Sequence, residues 1–187
     1  MKKILSLGAG VQSSTVLLMS IAGVLERLDA AVFADTGWEP QAVYDHLKWL
    51  EAQAEAAGIP VYRVSCGRNI KADALMATVR GVKEKGQRYA NMPFRTVGPD
   101  GSEGMIRRQC TREYKIEPLD RKIRALSGLK PGSRQNGSGP TVEQWFGISA
   151  DEKQRMRLAK NWWAVNYYPL VEDLNMTRQD CLLWLKD

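Results

Sequence analysis

The stretch Ser6-Leu7-Gly8-Ala9-Gly10-Val11-Gln12-Ser13-Ser14 decides the fold of this chain. The residues before it, Lys2 to Leu7, form an apolar run typical of a short strand, and Val11 to Leu25 has the spacing of a helix. The first N–H groups of a helix lack intrahelical partners, and the helix dipole adds positive potential at the same end. Because Gly8 and Gly10 have no side chain to obstruct an anion, we expect the loop to hold phosphate groups.

The next segments continue the alternation of strands and helices. Ala30 to Ala34 is a second apolar run, Pro40 to about Ala57 has the pattern of a helix, and Ile59 to Ser65 is a third strand rich in β-branched residues. This order predicts an α/β fold, a doubly wound, mainly parallel five-stranded sheet with helices on both faces, Rossmann-like. Ligands of such sheets lie at the carboxyl ends of the strands, so Gly8 and Asp35 should face one crevice.

The middle of the chain is less regular. Ile70 to about Val82 predicts a weak helix, and a long loop follows at about 86–110, punctuated by proline and glycine. Between residues 80 and 115 there are nine basic residues against four acidic ones, and long loops often bind ligands. Thr111 is the expected N-cap of a helix over 116–126, and the glycine- and serine-rich loop at about 127–140 should be mobile.

The last third predicts the remaining elements of one domain spanning residues 1–187. We expect a fourth strand over Val142 to Ile148, a charged helix over Ala150 to Lys160, an extended segment from Trp162 to Leu170 and a short amphipathic helix over Met176 to Lys186.

Composition and charge restrict the partners. The chain of 187 residues is 44% hydrophobic and 26% charged, as in ordinary globular proteins. Its net charge of +6 favours an anionic partner, either a nucleotide or a nucleic acid. The polar loop interrupts the apolar N-terminal run, and Val16 to Leu25 is too short to span a bilayer, so we expect a cytoplasmic protein with no membrane partner.

The cysteines and the single histidine argue against a metal centre. Cys66, Cys110 and Cys181 are odd in number and widely spaced, so this chain alone should form neither a disulfide framework nor an iron–sulfur cluster. His46, beside the apolar stripe of the second helix, is expected to be an ordinary helix-flank residue. We therefore predict no metal-ligating residues.

The loop can be compared with three phosphate-binding templates. It lacks the Gly-Lys-Ser/Thr of a Walker A loop. It fits the dinucleotide fingerprint in part, with Ser13 in place of the third glycine and Asp35 ending the second strand, which leaves an NAD-binding Rossmann protein open. It also occupies the frame of the PP-loop, Ser-Gly-Gly-x-Asp-Ser, with Gln12 where the ATP-cleaving enzymes have aspartate.

Five stretches, in order, resemble the phosphoadenosine phosphosulfate (PAPS) reductase family of the PP-loop, adenine nucleotide alpha-hydrolase-like superfamily. They are Gly8–Ser14, Phe33–Pro40, Arg108–Leu119, Gly147–Glu152 with Arg155, and Tyr168–Leu170 with Met176–Asp180. The chain looks most like the phage and bacterial stand-alone members. Gln12 occupies the position at which the similar loop of the sulfonucleotide reductases also has glutamine.

The resemblance implies which residues bind the nucleotide and its phosphates. They would be Ser6, Gly8, Gly10, Gln12, Ser13, Ser14, Asp35, Thr36, Gly37, Arg107, Arg108, Arg112, Lys115, Gly147, Glu152 and Arg155. The alternative for the arginines is a solvated basic face, and for Glu152 with Arg155 a surface ion pair. Cys110 is the candidate catalytic residue, since neighbouring arginines would stabilise its thiolate; an inert buried thiol is the alternative.

Three functions remain open, and binding of an adenine nucleotide is common to them. The first is AMP-forming ATP pyrophosphatase or adenylation (thiolation-type) chemistry, with Mg²⁺ accompanying ATP. The second is sulfonucleotide reduction in sulfur metabolism, in which a thiolate attacks PAPS and a thioredoxin-like protein reduces the product. The third is a non-catalytic nucleotide-binding module of a nucleic-acid modification or phage-defence system.

Overall fold

A computed structural model describes residues 1–76, 95–105, 111–130, 132–134 and 139–186. The predicted α/β fold is confirmed: five parallel strands form one sheet with helices on both faces. The strands of this sheet, in the spatial order β3-β2-β1-β6-β7, are β1 (Lys2–Leu7), β2 (Ala30–Ala34), β3 (Val61–Val64), β6 (Val142–Phe146) and β7 (Ala164–Tyr167).

The helices of the described residues lie between and after these strands. They are α1 (Val11–Ile21), α2 (Gln41–Ala56), α3 (Ile70–Met76), α4 (Glu117–Leu126), α5 (Pro169–Glu172) and α6 (Arg178–Trp184). The helix predicted as far as Leu25 ends earlier, because Gly23 takes a φ of +75° just after the last turn. The part of α3 predicted beyond Met76 lies outside the described residues.

Alternate residues of β1 build two cores, one on each face of the sheet. Leu5 packs in the larger core with residues of α1, α2 and α6, whereas Ile4 packs on the opposite face with Ile123 of α4. β1 lies between β2 and β6, and the chain crosses from one side of β1 to the other. This is the switch point where doubly wound sheets bind their ligands.

The predicted loop at 86–110 is wrong in part. Its described residues form a hairpin of β4 (Arg95–Val97) and β5 (Glu103–Met105), in antiparallel register. Gly98 donates to the carbonyl of Ser102, and Gly101 takes a φ of +78° at the turn. The proline and glycine residues that suggested an irregular loop therefore make a hairpin turn.

Two further predictions in the second half are corrected. Thr111 is not an N-cap but the first residue of a π-helix, Thr111–Ile116, that leads directly into α4. The charged helix predicted over 150–160 is only a 3₁₀ segment, Ala150–Arg155. It stops because Tyr168 bonds through its hydroxyl to both N–H and C=O of Arg157, which removes them from any helical ladder.

The segment predicted as extended over 162–170 is a strand only to Tyr167. Pro169 then begins α5, and the first position of a helix is the one where proline is best tolerated. In the 127–140 loop, the described residues include carbonyls of Lys130 and Ser133 that accept from the Arg124 guanidinium. Among the described residues, no helix has the length and apolar character needed to cross a membrane.

Candidate functional site

The loop between β1 and α1 has an exposed backbone. Gly8 and Gly10 are exposed, while Ala9 between them is buried and takes the positive φ of the turn, +52°. A Cβ at Gly10 would meet nothing within 4 Å, and one at Gly8 would meet only the Ser13 hydroxyl at 3.7 Å. Gly8 and Gly10 therefore leave open space above the loop, and neither is required by a left-handed backbone conformation.

The donors of the loop are available. The N–H groups of Gly10, Val11 and Gln12 form no hydrogen bond with any residue that the structure describes. Ser13 closes the turn, since its hydroxyl donates to the carbonyl of Gly10 at 3.1 Å and accepts from the N–H of Gly8 at 3.2 Å. A closed turn at a helix N-terminus with unpartnered N–H groups is the arrangement that binds anions.

Gly147, directly after β6, lies against the backbone of the loop. A Cβ there would lie 2.5 Å from the backbone N and 2.6 Å from the Cα of Ser13. The backbones of β6 and α1 thus meet at a distance that only glycine allows. The structure places Gly147, one of the predicted nucleotide-binding residues, against the backbone of the loop.

Gln12 joins three parts of the chain at this edge. Its amide nitrogen donates to Glu152 at 3.1 Å and to the Ser149 hydroxyl at 3.4 Å, and its amide oxygen accepts from the Arg178 guanidinium at 3.0 Å. Glu152 also forms an ion pair with Arg155 at 2.8 Å, so the surface pair expected from the sequence is present. An amide suits this position because it faces an anion on one side and a cation on the other.

The residues after β2 form a second part of the site. Asp35 accepts through one oxygen from the N–H of Gly37 at 2.7 Å and from the Tyr44 hydroxyl at 2.8 Å, and its second oxygen has no hydrogen-bond partner among the described residues. Gly37 has a φ of +74° and a Cβ there would lie 2.8 Å from the Asn69 side chain, which explains the glycine. The indole of Trp38 next to it is 51% exposed.

The π-helix connects to the loops after β2 and β3. Lys115 pairs with Glu39 at 2.9 Å, and Glu39 also accepts from the Thr36 hydroxyl at 3.0 Å. Glu113 pairs with Arg68 at 2.6 Å. Since π-helical turns occur frequently at functional sites, this segment is part of the candidate site and not only a connection.

The remaining predicted residues lie elsewhere. Ser6 accepts from the Gln144 side chain at 2.8 Å within the sheet, and Ser14 is buried against His46, with its hydroxyl 2.9 Å from Nε2. Arg112 pairs with Glu117 of its own segment and has a side chain 79% exposed. Arg107, Arg108 and Cys110 lie outside the described residues.

The structure also identifies residues that the sequence reasoning did not select. Glu39 and Arg178 both contact predicted site residues, and His46 holds Ser14. Arg178 could have been selected from the sequence because it lies in the stretch Met176–Asp180, which carries part of the resemblance. It directly follows Thr177, the N-cap of α6.

The other two cysteines differ in environment. Cys181 is fully buried, and burial raises the pKa of its thiol. Cys66 is partly exposed, follows β3, and contacts the carbonyl of Arg68 at 3.8 Å. Within the described residues, no group of three or more metal-binding side chains occurs.

No family model matches the chain, and the search of curated proteins finds no significant match.

Proposed function

We propose that this protein binds an adenine nucleotide at the carboxyl edge of its sheet, with the phosphates on the Gly8–Ser14 loop. The observation that carries the proposal is the exposed glycine turn at the switch point, whose N–H groups at Gly10, Val11 and Gln12 have no partner among the described residues. Hydrogen bonds from such donors to a charged phosphate contribute about 1.5–3 kcal/mol each.

The nucleoside is proposed to lie over β2. The second oxygen of Asp35 can accept from ribose hydroxyls, and the exposed indole of Trp38 offers a flat surface on which a base can stack. Sulfur-nucleotide and ATP ligands share this adenosine, so the proposal covers both.

The first candidate reaction is the AMP-forming cleavage of ATP, the chemistry of the ATP-cleaving PP-loop enzymes, which have aspartate where this chain has Gln12. Glu152 places a carboxylate 3.1 Å from Gln12 of the loop. Mg²⁺ in nucleotide sites is held by one or two carboxylates together with substrate phosphates, and Glu152 would be such a carboxylate after giving up its ion pair with Arg155. The ion would neutralise phosphate charge when bound. Gly10, Val11 and Gln12 orient the phosphates through their N–H groups, and Asp35 holds the ribose.

Sulfonucleotide reduction is the second candidate, and Gln12 favours it. That reaction needs a thiolate that can reach the sulfur of the bound ligand. The burial of Cys181 and the raised pKa of its thiol argue against it in this role. The candidate nucleophile remains Cys110, the residue that the sequence selected, and the partly exposed Cys66 after β3 is the alternative.

A paired assay tests the proposal. In the first arm, ATP with Mg²⁺ is incubated with the protein and the release of pyrophosphate and AMP is measured; in the second, sulfite is measured from PAPS with thioredoxin. In parallel, each nucleotide is added at one hundred times its Kd, which should stabilise the fold by about 2.7 kcal/mol and raise Tm by about 5–10 °C.

The outcomes separate the alternatives. Pyrophosphate release supports ATP cleavage, and sulfite release supports reduction. A Tm increase with ATP and neither product indicates a non-catalytic nucleotide-binding module. A response to NAD alone would replace the proposal by a Rossmann dinucleotide protein, and no response to any adenine nucleotide would refute it.

A further inference from the structure

Arg178 brings a positive charge to the loop and forms no direct ion pair with a described residue. Its guanidinium contacts the neutral amide oxygen of Gln12 at 3.0 Å, and no carboxylate of the described residues lies within ion-pair distance of it. The Asp151 carboxylate bonds to the Ser149 side chain and accepts from the backbone N–H of Arg178 at 3.0 Å, and these hydrogen bonds, together with the Arg178 charge, lower the pKa of Asp151. By contrast, Arg155 is neutralised by Glu152 through two hydrogen bonds of 2.8 Å.

The loop itself supplies no cation. A Walker A loop carries a lysine for the distal phosphates, and Gly8–Ser14 has none. A nucleoside triphosphate carries several negative charges, so a basic side chain from another part of the fold must approach the loop if such a ligand binds. Arg178 is the cation that directly contacts a loop residue in the described structure.

The order of the strands indicates which part of a bound nucleotide would lie nearest to Arg178. Asp35 follows β2, the loop follows β1, and Ser149 and Glu152 follow β6. A nucleotide whose nucleoside lies over β2 and whose first phosphate lies over β1 therefore extends its distal groups towards β6. Arg178 reaches Gln12 from this side, together with Ser149 and Glu152.

Resting on the function proposed above, we infer that Arg178 binds the distal anionic group of the nucleotide and makes the site select ligands with two or more linked phosphate or sulfate groups. The guanidinium exchanges its contact with the Gln12 oxygen for two oxygens of the ligand, a fork geometry that arginine provides. Gln12 keeps its bonds to Glu152 and Ser149.

The test compares ligands that differ only in the length of the anionic chain. Kd values of AMP, ADP, ATP and adenylyl sulfate are measured by calorimetry for the wild type and for Arg178→Gln, which keeps an N–H donor for Gln12 but removes the charge. We expect Arg178→Gln to weaken ATP, ADP and adenylyl sulfate by about tenfold to a hundredfold. Its affinity for AMP should stay within twofold of the wild type.

Two further variants serve as controls. Arg178→Lys retains the charge without the fork and should give an intermediate loss. Arg157→Gln removes an exposed arginine whose guanidinium donates only to the carbonyls of Gln154 and Met156, and should leave every Kd unchanged.

Three other results would count against the inference, and a fourth would refine it. An equal loss for AMP and ATP would mean that Arg178 only positions Gln12, and an unchanged ATP affinity would mean that it does not meet the ligand. A wild type that binds none of the four ligands refutes the proposed function, and with it this inference. If Arg178→Gln loses affinity for phosphate and sulfate ligands to different extents, the larger loss identifies the distal group that the guanidinium recognises. This result would support the inference.

Discussion

Replacing Gly147 by alanine should displace the Gly8–Ser14 loop. The added Cβ would lie 2.5 Å from the backbone N of Ser13, 2.6 Å from its Cα and 2.8 Å from the carbonyl carbon of Gln12. All three are backbone atoms, so no side chain can rotate away. To reach an ordinary contact of 3.4 Å, the end of β6 and the start of α1 must separate by about 0.9 Å.

The cost can be estimated from the energetics of overpacked interiors. Extra methyl groups in a packed site destabilise by about 1–3 kcal/mol. For a chain of this size, that corresponds to a Tm lower by about 2–12 °C. A displacement of about 1 Å in a positioned donor set reduces activity by about a hundredfold, so nucleotide turnover should fall more steeply than stability alone explains.

Gly10→Ala is the matched control. Its Cβ would meet nothing within 4 Å and the φ of −97° suits alanine, so the stability should change by less than about 1 kcal/mol. If a phosphate occupies the open space, however, this variant should lose nucleotide binding. Calorimetric unfolding and nucleotide titration measure both effects. A Gly147→Ala protein with the Tm and nucleotide affinity of the wild type would refute the reasoning.

Three smaller effects follow from other contacts. Ser14→Ala should lower the stability by about 1 kcal/mol in chemical denaturation, because it removes the bond to His46, but should leave the ATP affinity unchanged; a weakened affinity would place Ser14 at the phosphates. A double-mutant cycle on Lys115 and Glu39 should give a coupling free energy of about 0.2–1 kcal/mol that decreases in high salt, because the ion pair is partly exposed. A coupling free energy that does not depend on salt would contradict this explanation. Because burial raises the pKa of the Cys181 thiol, its thiolate fraction at pH 8 is below that of an exposed cysteine. A thiol reagent should therefore modify Cys181 only after unfolding, as measured by mass spectrometry. Rapid labelling of the native protein would contradict the burial of this thiol.

The sequence predicted the first half of the fold because its signals are local. Lys2–Leu7 and Ala30–Ala34 are apolar runs of strand length, and both strands have these bounds in the structure. Proline and glycine mark the limits of α2, with Gly58 at a φ of +67° after its end. Neighbouring elements in this half are also neighbours in space, so local patterns were sufficient.

The second half depended on contacts between distant residues. The charged segment after Ala150 has a helical composition, yet Arg157 is held by Tyr168 and Asn166 from β7 and its following turn. Composition cannot report such bonds. The hairpin of β4 and β5 was missed for another reason: its strands have only three residues each, too few to show alternation.

The candidate site was predictable in its backbone and not in its side-chain partners. The glycine turn and the place of Asp35 follow from strand ends. The partners of Gln12 lie 137, 140 and 166 residues further along the chain, and no spacing rule connects them. Ser14 has the local pattern of a phosphate ligand, but α2 places His46 against it and the hydroxyl is buried.

The central position of β1 has a consequence for the synthesis of the chain. One neighbour, β2, follows within 34 residues, whereas the other begins at Val142. At ribosomal rates of 5–20 residues per second, about 5–20 s pass between the two. During that interval the N–H and C=O groups along one side of β1 have no strand to pair with, and an apolar edge of this kind is a template for aggregation. The nascent protein is therefore most vulnerable at the strand that precedes the Gly8–Ser14 loop, which makes β1 the segment where chaperone binding should concentrate.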